Sequence, residues 1–159
     1  MVPSQHSDAE TPSSTAYLLA GMQAGMAATF IMLAWLGFTG VWFRHGFWRS
    51  SNVLSMIFFG ERGLDMSFGI PTVVAVALQL LIYSVAGCFF AMIVADRLRS
   101  IGLLLCGVAA GVAIYFVLFG YLWTRINALV PLYTHDRPML VAHILYGGML
   151  ARFPKYLHR

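Results

Sequence analysis

His143 has the clearest capacity for chemistry in this sequence, because no other histidine lies inside a long apolar run. An imidazole in hydrocarbon must find a hydrogen-bond partner, a proton path or a metal. Polar side chains inside membrane helices usually bond a neighbouring helix, and Gln79 occupies another apolar run at a similar depth. We therefore expect His143 to bond a neighbouring helix, with Gln79 as the candidate polar contact.

A tetrapyrrole is the alternative partner for His143, although the primary expectation is a protein without a cofactor. A haem or chlorophyll site needs a neutral imidazole nitrogen facing an apolar slot, a small residue beside the slot and aromatic rings around it. Gly147, Tyr121 and Trp123 are residues of these types. Because no second histidine lies inside an apolar run, the cofactor would be a chlorophyll, a five-coordinate haem or a haem with methionine as second ligand.

Carboxylates, on which much enzymatic acid–base chemistry depends, all lie outside the apolar runs. They are Asp8, Glu10, Glu61, Asp65, Asp96 and Asp136. No metalloprotease, phosphate-loop or nucleophile-elbow motif occurs. The sequence therefore favours a protein that is not an enzyme. A small proton or solute transport component is a further alternative, but only His143 approaches the midplane position that such ionisable residues usually occupy.

Cys88 and Cys106 lie at comparable depths in two consecutive apolar runs, so that the two thiols could meet. The sequence lacks the C-x-x-C motif on which thiol oxidoreductases usually rely. We interpret both cysteines as small hydrophobic residues of the interior.

The elements that must position these residues are apolar helices. Pro71 to Ala95 and Ile101 to Trp123 contain no charge, and each exceeds the roughly 20 residues that cross about 30 Å of hydrocarbon. The five residues between them predict a hairpin of antiparallel neighbours. A first spanning helix is predicted from Ala16 to Phe43. Met139 to Phe153 predicts a fourth, which at about 22 Å needs anchoring residues at its end to span.

The composition agrees with an all-α, polytopic membrane protein of four transmembrane helices. Of 159 residues, 60% are hydrophobic and 10% are charged, which leaves too little polar surface for a soluble globule. The ten Lys and Arg residues are scattered between apolar runs, where they anchor helices to lipid, so we expect no nucleic-acid partner. Residues 1–15 are predicted as a polar tail and residues 16–159 as a single transmembrane domain.

Small residues recur at helical spacing in two runs and predict close helix contacts. Gly21, Gly25 and Ala28 share one face of the first helix, and Gly107 and Gly111 share one face of the third. Such faces let two helix backbones approach closely in lipid. The alternative is that membrane helices simply tolerate small residues.

The segment from residue 44 to residue 70 is the longest connection, and aromatic residues cluster at its start. We predict an interfacial helix lying along the membrane, with Asn52 as its cap and Gly60 as its stop. The residues expected on its apolar face are Val53, Leu54, Ile57 and Phe58. An ordinary ordered loop is the alternative.

Four spans would place this segment and residues 125–138 on the same side of the membrane. His45, Arg125, His135 and Asp136 could then line one surface, with Gln79 and His143 within about three helical turns below it. If the protein has a site, we expect it there.

Two stretches carry a family resemblance: Gly21-Met-Gln-Ala-Gly25-Met-Ala-Ala-Thr29 and Ala142-His143-Ile-Leu-Tyr146-Gly147. With the third helix, they resemble small four-helix bacterial inner-membrane proteins of unknown function. The resemblance implies a bacterial inner-membrane location and carries no activity. We therefore expect a non-enzymatic integral subunit that packs against or stabilises a larger membrane complex, with lipid and other integral membrane proteins as its partners.

Overall fold

The computed structural model describes residues 12–64, 67–94 and 99–157, and every regular element within these ranges is a helix. In chain order they are α1 (Ser14–Trp42), α2 (Arg49–Asn52), a 3-10 helix (Val53–Ser55), α3 (Met56–Phe59), a 3-10 helix (Gly60–Leu64), α4 (Ile70–Val94), α5 (Ser100–Tyr115), a π-helix (Phe116–Leu122), α6 (Trp123–Ile126), α7 (Leu129–Tyr133), α8 (Asp136–Leu150) and α9 (Pro154–Leu157). Three helices are long and apolar enough to cross a membrane, namely α1, α4 and the continuous helix Ser100–Ile126.

The start of α1 is fixed by Ser13, whose side chain accepts a hydrogen bond from the backbone N–H of Ala16 at 3.3 Å. Ser14 and Thr15 therefore belong to the first helical turn rather than to the predicted polar tail. Residues 1–11 of that tail lie outside the described residues.

The end of α1 is a tight reversal. Arg44 and Gly46 both have left-handed backbone conformations, with φ of 57° and 85°. This reversal brings the Phe47 ring against Gly37, where any side chain would collide with it. The chain therefore folds back onto the last turns of α1.

The long helices pack in the order α4, α1, α8, α5, because α1 contacts both α4 and α8 while α5 packs on α8. The predicted hairpin of antiparallel neighbours is therefore wrong in its packing: α4 and α5 meet over only a few residues. Glycines explain the difference. Gly21 and Gly25 let α1 lie directly against Gly87 of α4, and Gly107 and Gly111 let α5 lie directly against Gly147 of α8. Residues 96–98 of the predicted five-residue linker lie outside the described residues.

The predicted fourth spanning helix corresponds to α8, which starts and ends three residues earlier than expected. It has 15 residues and is followed by a turn at 151–153 and by the short helix α9. A helix of this length rises about 22 Å, which is short of a hydrocarbon core of about 30 Å. Three candidate spans are therefore established by length and composition, and α8 is not among them.

The segment after α1 is not a helix lying along a surface. Residues 51–56, which we call the buried segment, are all less than 4% exposed and contact α1 and α4. Asn52 ends α2 instead of capping a helix, and its side-chain amide donates to the carbonyl of Ser67 at 3.3 Å. Phe58 is 62% exposed, so the predicted common apolar face does not form. Gly60 does end α3, with a φ of 58°.

The two loops expected on one side of the bundle are in contact. The side-chain amide of Asn127 donates to the carbonyl of Met56 at 3.2 Å. Val130 of α7 is fully buried beside this junction. The loop side of the bundle is thus closed by the buried segment together with α7.

Candidate functional site: the His143 cluster and the loop-side cleft

His143 is fully buried, and both of its ring nitrogens have protein partners. Nδ1 lies 2.8 Å from the carbonyl oxygen of Met139, and Nε2 lies 2.8 Å from the hydroxyl of Tyr83. Because a carbonyl only accepts, Nδ1 carries the proton in the neutral ring, and Nε2 then accepts from the Tyr83 hydroxyl. The two contacts therefore select one neutral tautomer.

Aromatic rings enclose the imidazole. The ring centroids of Tyr83, Tyr115 and Phe119 lie 5.5, 5.4 and 5.7 Å from that of His143, each in an edge-on arrangement. Tyr83 belongs to α4, whereas Tyr115 and Phe119 come from the α5 side. These side chains fill the space between α4 and α5, where the two backbones do not pack.

Tyr146 adds a second bond between α8 and α4. Its hydroxyl donates to the backbone carbonyl of Tyr83, and the two rings lie 4.9 Å apart. A Cβ at Gly25 of α1 would lie only 2.6 Å from the same carbonyl oxygen. The Tyr83 peptide group is therefore the point where α1, α4 and α8 converge.

The predicted contact between His143 and Gln79 does not form. Gln79 is 1% exposed, and its Oε1 has no hydrogen-bond partner among the described residues. Tyr83 lies one helical turn further along the same face of α4 and takes the place of Gln79. The sequence signal is that Tyr83, a polar aromatic residue four positions from Gln79, lies on the same face of α4, but this spacing does not distinguish the two residues.

The geometry around His143 does not fit the tetrapyrrole alternative. Both imidazole nitrogens are engaged, and three aromatic rings occupy the space into which a macrocycle would have to enter. Gly147 faces Gly107 and Gly111 in a helix contact rather than an open slot. Tyr121 is exposed and lies under the Arg125 guanidinium, at 5.7 Å from the ring centroid.

The two cysteines are free and half-buried. The Cys88 thiol donates to the carbonyl of Leu18 on α1 at 3.4 Å, while Cys106 packs against the hydrophobic core from α5. They therefore have different neighbours and do not form a pair.

A cleft opens where the reversal after α1 meets the start of α8, and we call it the loop-side cleft. Its polar lining residues are Thr39, His45, Arg49, Ser50, Tyr133, Thr134 and His135. The free volume is about 20 Å³, enough for one or two water-sized atoms. The Trp35 indole of α1 donates a hydrogen bond to the carbonyl of Pro138 at 3.0 Å, and this bond joins two sides of the loop-side cleft.

The residues predicted to line one surface divide between two places. His45 and His135 meet in the loop-side cleft, with ring centroids 4.8 Å apart. Asp136 instead accepts a hydrogen bond from Tyr115 at 3.4 Å, and Arg125 lies over Tyr121. His143 is fully buried below this surface and does not line the cleft.

Within residues 12–64, 67–94 and 99–157, fold and site together define a helical protein with three apolar helices of membrane-crossing length and a buried cluster of aromatic rings around His143. Comparison with known proteins finds no matching family model, no matching curated protein and no matching solved structure. The resemblance to small bacterial inner-membrane proteins therefore stays an expectation.

Proposed function

We propose that this chain is a non-enzymatic integral membrane subunit that packs against or stabilises a larger membrane protein complex. The observation that supports the proposal most is that the outer face of α5 is apolar and is not covered by any other helix of the described residues. The helix 100–126 has the highest mean hydropathy of the three candidate spans, 2.5, yet only 22% of its most apolar stretch is buried. Exposed apolar surface of this extent requires lipid or another protein as its cover.

The neighbours of α5 sharpen this proposal. Among the long helices, only α8 packs extensively on α5, whereas α1 is covered on two sides. The most exposed large side chains of the α5 region include Ile101, Leu105, Phe116 and Val117. The small-residue faces expected to receive a partner are already used inside the bundle, by Gly87 and Gly147. We therefore place the partner helix on the outer face of α5 rather than on those glycines.

We also propose that the chain crosses the membrane four times, with α8 as the fourth and shortest span. α8 lies between α1 and α5, so that protein rather than lipid covers much of its length. Arg152 is exposed just beyond the end of α8, and Asp136 is exposed at its start. Such flanking charges can reach the headgroups from a short helix, and local thinning of the bilayer accommodates the remaining mismatch.

A subunit role is also supported by the interior. The buried polar groups of Tyr83, His143 and Tyr146 bond one another or backbone carbonyls. Transport and catalysis need a path for a proton or a substrate to such groups. The loop-side cleft offers little space and does not reach His143.

The test is native sizing after extraction in mild detergent. After the mass of bound detergent is subtracted, the wild-type protein should exceed the 17.6 kDa of one chain and should contain a co-purifying integral membrane protein. Leu105→Trp and Val117→Trp should release that partner while leaving the chain in the membrane fraction, because they add bulk to the α5 face without adding charge. Leu81→Trp, on the exposed face of α4, is the matched control. A bare wild-type monomer without a partner would overturn the proposal.

A further inference from the structure

An apolar groove opens directly beside the loop-side cleft. It lies between α1 and α8, has a volume of about 380 Å³ and shares Thr39, Phe43 and Pro138 with the cleft. The rest of its lining is almost entirely apolar, from Trp35, Phe38, Trp42 and Val141, with Arg137 at its edge. A small polar pocket and a larger apolar groove therefore form one continuous depression at the loop side.

The charge in this depression has one sign. The lining contains Arg49 and Arg137, together with His45 and His135, and it contains no Asp or Glu. Within the described part of the chain, none of these four side chains makes a hydrogen bond or an ion pair. Asp136 is next in sequence to two of them but is turned to Tyr115. The depression therefore presents unpaired cationic and donor groups to a ligand.

A metal ion is a poorer match than an anion. His45 and His135 offer two imidazoles, but the described residues contain no group of three or more metal-ligating side chains. The same cleft also holds the Arg49 guanidinium, which repels a cation. Arginine binds phosphate oxygens through charge-assisted, often paired hydrogen bonds, and the Ser50 hydroxyl lines the same cleft.

We propose that the loop-side cleft and the adjoining groove bind an anionic phospholipid, with phosphate oxygens at Arg49 and the histidines and part of an acyl chain along Trp35 and Val141. The free volume of the cleft admits one or two phosphate oxygens, and the remainder of the headgroup stays outside. Trp42 and Phe43 line the groove and are largely exposed, as aromatic residues are at headgroup level. This inference rests on the membrane location proposed above.

Quenching of tryptophan fluorescence by brominated phospholipids tests the site in the purified full-length protein. A Trp48→Phe background removes the tryptophan that lines a different groove, between α1 and α4. Trp35 and Trp42 then report on the proposed site, while Trp123 is buried. Brominated phosphatidylglycerol supplies the anionic probe and brominated phosphatidylcholine the zwitterionic one.

We expect the anionic lipid to quench at a lower mole fraction than the zwitterionic lipid. Arg49→Gln and Arg137→Gln should each reduce this preference by about fivefold, the effect of one cation near an anionic surface. Arg62→Gln and Arg125→Gln are matched controls, because both arginines are exposed on the loop side but line neither the cleft nor the groove.

Each further outcome has a distinct meaning. Equal quenching by both lipids, or an equal loss of preference in the control variants, would overturn the phospholipid site. Inorganic phosphate that alone abolished the preference would also overturn it, because the ligand would then be a free anion. If neither lipid quenched the tryptophan fluorescence at all, although Trp42 is 73% exposed, the membrane location itself would fail.

Discussion

The Tyr83 hydroxyl lies 2.8 Å from Nε2 of His143 and joins α4 to α8, although the backbones of these two helices do not pack closely. The two residues are 60 positions apart in the chain. The bond is enclosed by aromatic rings and is reinforced by the Tyr146 hydroxyl, which donates to the Tyr83 carbonyl. Side chains rather than a backbone contact therefore hold α4 against α8.

Tyr83→Phe should lower the free energy of unfolding by about 1 kcal/mol, and by no more than about 2 kcal/mol. The substitution keeps the ring but leaves Nε2 of the buried His143 without its donor. Reversible unfolding in mixed micelles measures the change. Tyr121→Phe removes a hydroxyl from an exposed ring and should have little effect. If both variants unfold alike, the buried bond contributes nothing to stability.

A double-mutant cycle should show that Tyr83 and His143 are coupled. His143→Phe leaves the Tyr83 hydroxyl without its acceptor, whereas the double variant Tyr83→Phe with His143→Phe removes both partners. The double variant should therefore lose less stability than the sum of the single variants, by about 0.5–1.5 kcal/mol. The four proteins are compared by the same unfolding assay. Additive losses would contradict the coupling.

The sequence predicted the long helices well and their partners poorly. Continuous apolarity fixed α1 and α4 to within two residues, because it depends only on local composition. Which helices pack together depended on the pairing of Gly21 with Gly87 and of Gly107 with Gly147. Such pairing joins residues far apart in sequence, and the spacing within one helix does not identify the second helix.

The burial of residues 51–56 and the partner of His143 were also not predicted, because both depend on contacts between residues far apart in sequence. The aromatic residues at the start of the segment 44–70, and the helical spacing of its apolar residues, predicted a helix lying along the membrane. Residues 51–56 are instead buried because they pack against α1 and α4, and the Ser55 hydroxyl donates to the carbonyl of Asn52 at 2.7 Å. Gln79 and Tyr83 share a face of α4, so the sequence could not decide which of them reaches His143.

Gly111→Ala should separate α5 from α8. A Cβ at this position would collide with the carbonyl oxygen of His143 and would lie 3.1 Å from the backbone of Gly147. Because backbone atoms cannot move aside cheaply, we expect a loss of about 1–3 kcal/mol in the free energy of unfolding. Gly120→Ala, in the same long helix, is the control, because its added methyl group meets nothing within 4 Å. Equal stability of the two variants would contradict the close contact.

Gln79→Met should leave the protein as stable as the wild type or make it more stable, by up to about 1 kcal/mol. Gln79 is 1% exposed, and its Oε1 has no hydrogen-bond partner among the described residues, so its desolvation is not compensated. Methionine has a similar length and flexibility and carries no group that needs a partner. Gln23→Met is the control, because it measures the effect of the same substitution on the free energy of unfolding at an exposed position of α1. Unfolding in mixed micelles measures both variants. A loss above about 1 kcal/mol at Gln79 alone would show that its amide is satisfied, for example by a buried water, and would contradict the prediction.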